Sequence, residues 1–230
     1  MKLKVGGIVL VVLGLLASPT AARADLLDGT FSTFGTTPVT VTDTTIEWDG
    51  IGFLLGTGDF AVLNGTFGTL EDLDATVQTV GTSFSLQNFL VATAMPAWNF
   101  ELTDIAPGSG TMAGCTDDPG DVCTPDLPFG LISPFTITND NEGGSSVTLS
   151  MSGSLTDGSG DLASAWKGIF TTQFVDLTAA EILEQIAATG SVVSSHSGSF
   201  TVTAIPEPAT LTLMALGLAG LARRRLWFNS

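Results

Sequence analysis

An all-β fold, an antiparallel β-sandwich or jelly-roll with one short amphipathic helix near residues 178–189, is predicted by three features of the sequence. Short segments alternate apolar and polar residues with a period of two, the signature of sheets with one buried and one wet face. Asp-Gly and Asn-Gly pairs punctuate them as turns. The composition is rich in Gly, Thr, Ser, Val and Phe, with no Tyr, which suits pleated strands and tight turns.

The elements follow in chain order. Residues 37–48 (TPVTVTDTTIEW) open with Val39 and Val41 alternating with threonines, and Asp49-Gly50 ends the segment. Asn64-Gly65 sits between residues 60–63 and 66–70 and predicts a hairpin of those two segments. After the turn at 141–144, Val147, Leu149 and Met151 alternate with Thr148, Ser150 and Ser152, and residues 157–160 supply the next turn. Phe200 and Val202 repeat the period against Thr201 and Thr203. A Gly-Thr/Ser-Phe element recurs at 29–31, 65–67 and 198–200, but without the fixed spacing of a solenoid or propeller. Thr178 and Glu181 form a capping box ahead of the stripe Ile182, Leu183, Ile186 and Ala187, and Gly190 supplies the stop. That helix is expected to plug an open end or edge of the sheets.

Both ends of the chain carry addresses. Lys2 and Lys4, an apolar run over residues 5–17 and the small-x-small site Ala22-Arg23-Ala24 read as a secretory signal peptide over 1–24, cut by signal peptidase before Asp25. An uncleaved N-terminal anchor is the competing reading. At the other end, Pro206, Glu207 and Pro208 precede an apolar run over residues 209–222, and Arg223, Arg224 and Arg225 close it. Those 14 residues span about 21 Å as a helix, short of the roughly 20 residues of a comfortable transmembrane span. Arginines on the cytoplasmic side would hold such a segment in the inner membrane transiently. An ordinary tail anchor is the alternative. The tripartite order resembles the PEP-CTERM sorting signal of Gram-negative bacteria, which implies a membrane-embedded exosortase as processing partner and delivery to the cell envelope, outer surface or extracellular matrix. Residues 166–208, with WKGIFTTQF, TAAEIL and GSFTVTAIPEP, and the upstream ISPFTIT and SMSGSLTD resemble a body type common among cyanobacterial PEP-CTERM proteins. That resemblance carries no catalytic residues across. The expected organisation is signal peptide 1–24, β domain 25–204 and sorting signal 205–230.

Without the two addresses the body is strongly acidic. Between Asp25 and Pro208, Lys167 is the one Lys or Arg against all 23 Asp and Glu, a net −22 before terminal charges. Such a field repels nucleic acid, anionic lipid and phosphorylated ligands and attracts cations. Cys115 and Cys123, in GCTDDPGDVCTPD, are expected to form a disulfide in an exported, oxidising setting. In the chain-entropy account so short a loop contributes about 2–3 kcal/mol.

The search for chemistry is mostly negative. His196 is the one histidine and is expected exposed in a strand-edge turn. There is no G-x-S-x-G elbow, P-loop, dinucleotide fingerprint or HExxH. No catalytic or cofactor residues are therefore assigned. Calcium is the one metal considered, since hard oxygen ligands on loops suit it. Asp117, Asp118 and Asp121, the NDNE of 139–142, and Asp157 with Asp161 are acidic loops, of which Asp157/Asp161 is preferred because its glycines let the backbone bend round an ion. Each is equally an acidic turn. Three functions are weighed: a surface or matrix structural component, glycosylated in Ser/Thr-rich stretches; a carbohydrate-binding module of the exopolysaccharide matrix, with Trp48, Trp98 or Trp166 stacking on sugar; and a secreted glycoside hydrolase working through a carboxylate pair. Buried core tryptophans are the competing reading of the second.

Overall fold

The structure, a computed structural model, describes residues 27–205 apart from residues 36, 49 and 159–163. The signal peptide with Ala22 and Ala24, the sorting residues Pro206, Glu207, Pro208, Arg223, Arg224 and Arg225, the expected C-terminal membrane helix and Asp161 lie outside the described residues. Among the described residues no helix is long and apolar enough to cross a membrane.

Among the described residues fourteen strands and one α-helix follow one another. They are β1 (Gly29–Gly35), β2 (Val39–Val41), β3 (Thr45–Trp48), β4 (Ile51–Gly58), β5 (Thr66–Leu70), β6 (Leu73–Asp74) and β7 (Leu86–Ala92). After them come β8 (Asn99–Ile105), β9 (Val122–Cys123), β10 (Phe135–Asn139), β11 (Ser145–Thr156) and β12 (Ser164–Phe174). The helix α1 (Ala179–Thr189), β13 (Val192–Ser194) and β14 (His196–Ala204) complete the chain.

The prediction of an all-β fold with one helix holds, but the sandwich is replaced by a closed barrel. Eight strands pair antiparallel in the order β1-β4-β5-β7-β8-β11-β12-β14, and β14 returns to β1. Period-two alternation gives an inner and an outer face to sandwich and barrel strands alike, so the pattern does not separate them. The deciding event is the last strand, which takes β12 on one side, Gly168↔Phe200, and β1 on the other, Phe31↔Phe200.

Aromatic rings fill the barrel. Phe31 stacks on Phe200 at 4.4 Å with planes 4° apart, and Phe31 meets Phe60 at 5.2 Å and Phe100 at 5.4 Å. Phe200 also meets Phe170 at 5.4 Å and Trp166 at 5.7 Å. The Gly-Thr/Ser-Phe echoes at 29–31 and 198–200 are thus neighbours across one strand pair. The third is not equivalent, because Phe67 points outward, 43% exposed, against Phe53. Burying such a ring completely stabilises the fold by about 2–3 kcal/mol.

Room for these rings is made by missing side chains. A Cβ at Gly168 would lie 2.8 Å from the Phe200 ring, and one at Gly198 would lie 2.9 Å from Phe170. At Gly153 a Cβ would collide with the Glu101 carbonyl oxygen. There the β8–β11 register shifts between Ser152 and Gly153, and the Trp166 indole donates to the carbonyls of Glu101 and Ser154, both at 3.0 Å. The bulge brings β8 close enough for the indole to satisfy its polar edge inside the core.

Two of the expected segments differ in detail. Residues 37–48 break into β2 and β3, because the Thr42 hydroxyl accepts from the amides of Thr44 and Thr45 and closes a turn between them. Asn64-Gly65 does end a hairpin, but its arms are β4 and β5. Residues Asp59–Leu63 form a 3-10 turn that drives Phe60 and Leu63, both fully buried, into the end of the barrel beside Trp98. The Asn64 carboxamide oxygen accepts from the Gly56 amide at 2.6 Å and fixes that reversal.

The connections divide the barrel into two unlike poles. At one pole lie the start of β1, the β4–β5 and β7–β8 turns, the β11–β12 connection and the end of β14. Every long insertion emerges at the other. There β13, β2, β3 and β6 pair as a separate four-stranded antiparallel sheet, the cap, joined by α1, while β9 and β10 extend the edge of β11. We predict that Gly153→Ala lowers stability by more than about 2 kcal/mol, since backbone on one side and an indole on the other cannot yield. Urea denaturation of wild type and variant measures the difference.

Candidate functional site

The long β11–β12 hairpin serves two compartments. Its lower half, carrying Met151, Leu155 and Trp166, packs inside the barrel. Beyond the end of β8 its upper half pairs Leu149↔Phe170, Val147↔Thr172 and Ser145↔Phe174, with β10 beside it. That half forms one wall of a cavity of about 820 Å³ between the barrel mouth and the cap. The cap sheet supplies Val39, Val41, Ile46 and Trp48, and β10 supplies Phe135 and Ile137. Helix α1 closes the space with Ile182, Leu183, Ile186 and Ala187. The stripe read from the sequence is therefore the lining of a pocket as well as a plug. Among the described residues the polar side chains of the lining are Thr42 and Thr172 with Asp43 and Asp126, both exposed, and no Lys, Arg or His takes part.

The lid is held by a buried clasp. Thr178 caps α1 as expected: its hydroxyl accepts from the Glu181 amide at 3.4 Å, and Glu181 returns to accept from the Thr178 amide at 2.9 Å. Gly190 ends the helix in the left-handed conformation, φ 86°, its amide donating to Ile186. The Thr178 hydroxyl also donates to Asp117 in the disulfide loop at 2.6 Å. Cys115 and Cys123 are bonded, with Cα atoms 5.0 Å apart. Asn139, 2% exposed, ties loop to helix. Its carboxamide donates to the carbonyls of Thr116 and Asp118 at 2.7 and 3.1 Å and accepts from the Ala179 amide at 2.8 Å.

The acidic loops are largely built into these turns. Asp121 accepts from the Thr116 hydroxyl at 2.6 Å, and Asp140 accepts from the amides of Glu142 and Gly144. Among the described residues no three His, Cys, Asp or Glu side chains cluster to hold a metal. Asp157 directly follows β11, at the pole opposite the cavity, and its partner Asp161 lies outside the described residues.

Trp48, Trp98 and Trp166 are 7%, 5% and 1% exposed, so none offers a face to a sugar. His196 corrects its expectation too. It begins β14, its ring lies 5.0 Å from that of Trp48 and packs over Gly35, and its Nδ1 is buried without a partner among the described residues. Burial alone pushes its pKa below the ordinary 6.5. The Trp48 Nε1 is likewise buried and unpartnered, while its backbone amide is anchored by donating to Asp72 at 2.7 Å. No sequence pattern marked Trp48 and His196 as neighbours, since β3 and β14 belong to different sheets.

Residues 204–225 match the model of the PEP-CTERM protein-sorting motif. The chain carries a PEP-CTERM sorting signal. The match includes Pro206, Glu207, Pro208 and Arg223 to Arg225, and it begins at the last residue of β14. No curated protein and no solved structure matches the chain. The motif marks the protein as an exosortase substrate, exported and sorted through the membrane to the cell surface.

Asn139→Ala strands two carbonyls and one amide and should cost on the order of 3 kcal/mol, whereas Cys115→Ser should cost about 2–3 kcal/mol. Thermal melts of each variant measure both. Because the His196 pKa is lower in the folded chain, the unfolded chain takes up the proton first. His196 therefore contributes a loss of stability that starts as pH falls through 6.5 and is absent above it. Denaturation midpoints of wild type should fall relative to His196→Phe between pH 7.5 and 5.5, and parallel profiles would contradict the assignment.

Proposed function

We propose that this protein is a non-enzymatic component of the cell surface or extracellular matrix, displayed with its capped cavity pointing away from the membrane that processes it. One observation carries the reading: the sorting motif starts where β14 ends, at the pole opposite the cap. Gly29 of β1 pairs with Val202 near the same pole, so both sides of the body join their addresses there. An exosortase-type enzyme acting on the tail then works beside the short-loop pole and leaves the cavity clear.

The acidic surface fits display in a crowded exterior. With about −22 charges, neighbouring copies repel each other over roughly 8 Å at physiological ionic strength. This favours solubility among matrix polymers and disfavours contact with anionic lipid or nucleic acid. Exopolysaccharide contact, where it occurs, falls to polar surface and not to a tryptophan platform, because all three candidate rings are core.

Processing tests the proposal. Intact mass spectrometry of protein recovered from the native envelope or secreted fraction should show a chain that starts at Asp25 and ends near Pro206–Pro208. Full-length chains still carrying Arg223 to Arg225 in the final fraction would contradict it.

A further inference from the structure

We propose that the cavity beneath the cap is a binding site for an uncharged long-chain amphiphile, a neutral lipid-like molecule whose one oxygen accepts a hydrogen bond from the Trp48 indole. This goes beyond surface sorting and does not depend on it. Three observations converge. At about 820 Å³ the cavity has the size of small-molecule sites and far exceeds a packing defect. Its walls are mainly Val, Leu, Ile, Phe and Ala side chains from seven separate elements, a lining that selects hydrocarbon. Trp48, 7% exposed, is part of that lining, and its Nε1, closed to water, has no partner among the described residues. A buried indole donor left unpaired costs about 1–3 kcal/mol, so a ligand oxygen there gains more than it would from water.

The charge pattern restricts the head group. Among the described residues no cationic side chain lines the cavity, Asp43 and Asp126 lie among the lining residues, and Lys167 sits on an exposed position of β12 outside it. His196 behind Trp48 is kept neutral at pH 7 by its burial. A carboxylate entering this site would be desolvated with nothing to pair it. A hydroxyl, ester or ketone oxygen meets no such penalty. The class is therefore long-chain alcohols, esters or isoprenoid ketones, and fatty acid anions are rejected.

The test uses the processed protein purified from its native host, stripped of lipid, and three probes delivered from cyclodextrin at pH 8: 1-hexadecanol, hexadecanoate and n-hexadecane. Calorimetry should show hexadecanol binding one to one and more than about a hundredfold tighter than hexadecanoate. Trp48→Phe keeps an aromatic ring and removes the donor. It should weaken hexadecanol about five- to tenfold while leaving hexadecane unchanged. Val41→Phe, which fills the space from the cap sheet, should weaken both. In wild-type protein the Trp48 indole N–H resonance should shift on adding hexadecanol and stay near its place with hexadecane, which keeps the test decisive if Trp48→Phe does not fold. Non-saturable hexadecanol binding, equal affinity for hexadecanoate, or an indole resonance that responds identically to alcohol and alkane would each overturn the proposal.

Discussion

Ring packing against glycine inside the barrel is the constraint on which the other features depend. An eight-stranded barrel encloses only enough space for its own side chains, and this one fills that space with Phe31, Phe89, Phe100, Phe170, Phe200 and Trp166. Rings of that size fit only because Gly153, Gly168 and Gly198 on neighbouring strands present no Cβ to them. The same three glycines lie on β11, β12 and β14, the strands that close the circle. Core shape and closure are one property. A filled core also means that the barrel interior is not a ligand compartment, and any binding space has to be built outside it.

The insertions build that space. Four alternate connections are long, and all leave from one pole, so the cap sheet, the disulfide loop and α1 gather over a single mouth. A second small core of Ile137, Phe174, Ile182 and Val192 forms there, around Cys123. The cavity lies between this core and the barrel core, bridged by the β11–β12 hairpin. Asn139 is central to the arrangement, because one carboxamide satisfies the loop and the first turn of the helix together. A pole that carries the chain ends and a pole that carries the cavity result from strand parity: with eight antiparallel strands, the first and last residues of the barrel meet at the same end.

Local features were legible in the sequence and their assembly was not. The capping box of Thr178 and Glu181, the disulfide, the turn at 141–144 and the inward set Leu149, Met151, Phe200 and Val202 are set by neighbours within a few residues, and each appears as read. The tail was legible because a sorting signal is a linear motif. Closure was hidden, since Phe31 and Phe200 meet across 169 positions of sequence, and alternation has the same form in a sandwich. The cavity was hidden for a related reason. Val147, Leu149 and Met151 form one uninterrupted pattern, although the last faces the barrel and the first two face the cavity. His196 was misplaced because a Ser-rich context suggests exposure, whereas Gly35 on β1 leaves room for its ring.

Hydrogen exchange tests the closed barrel most directly. If β14 is held between β12 and β1 by the stacked rings, its amides from Phe200 to Val202 should exchange only on global unfolding, as slowly as those of β1 and β4. The cap strands and α1, held by the Asn139 clasp and fewer ladder bonds, should open at lower free energy. Mass-resolved exchange on the processed protein gives both rates in one experiment. Rapid exchange of 198–203 while β7, β8 and β11 remain protected would mean an open sheet, and would contradict the account.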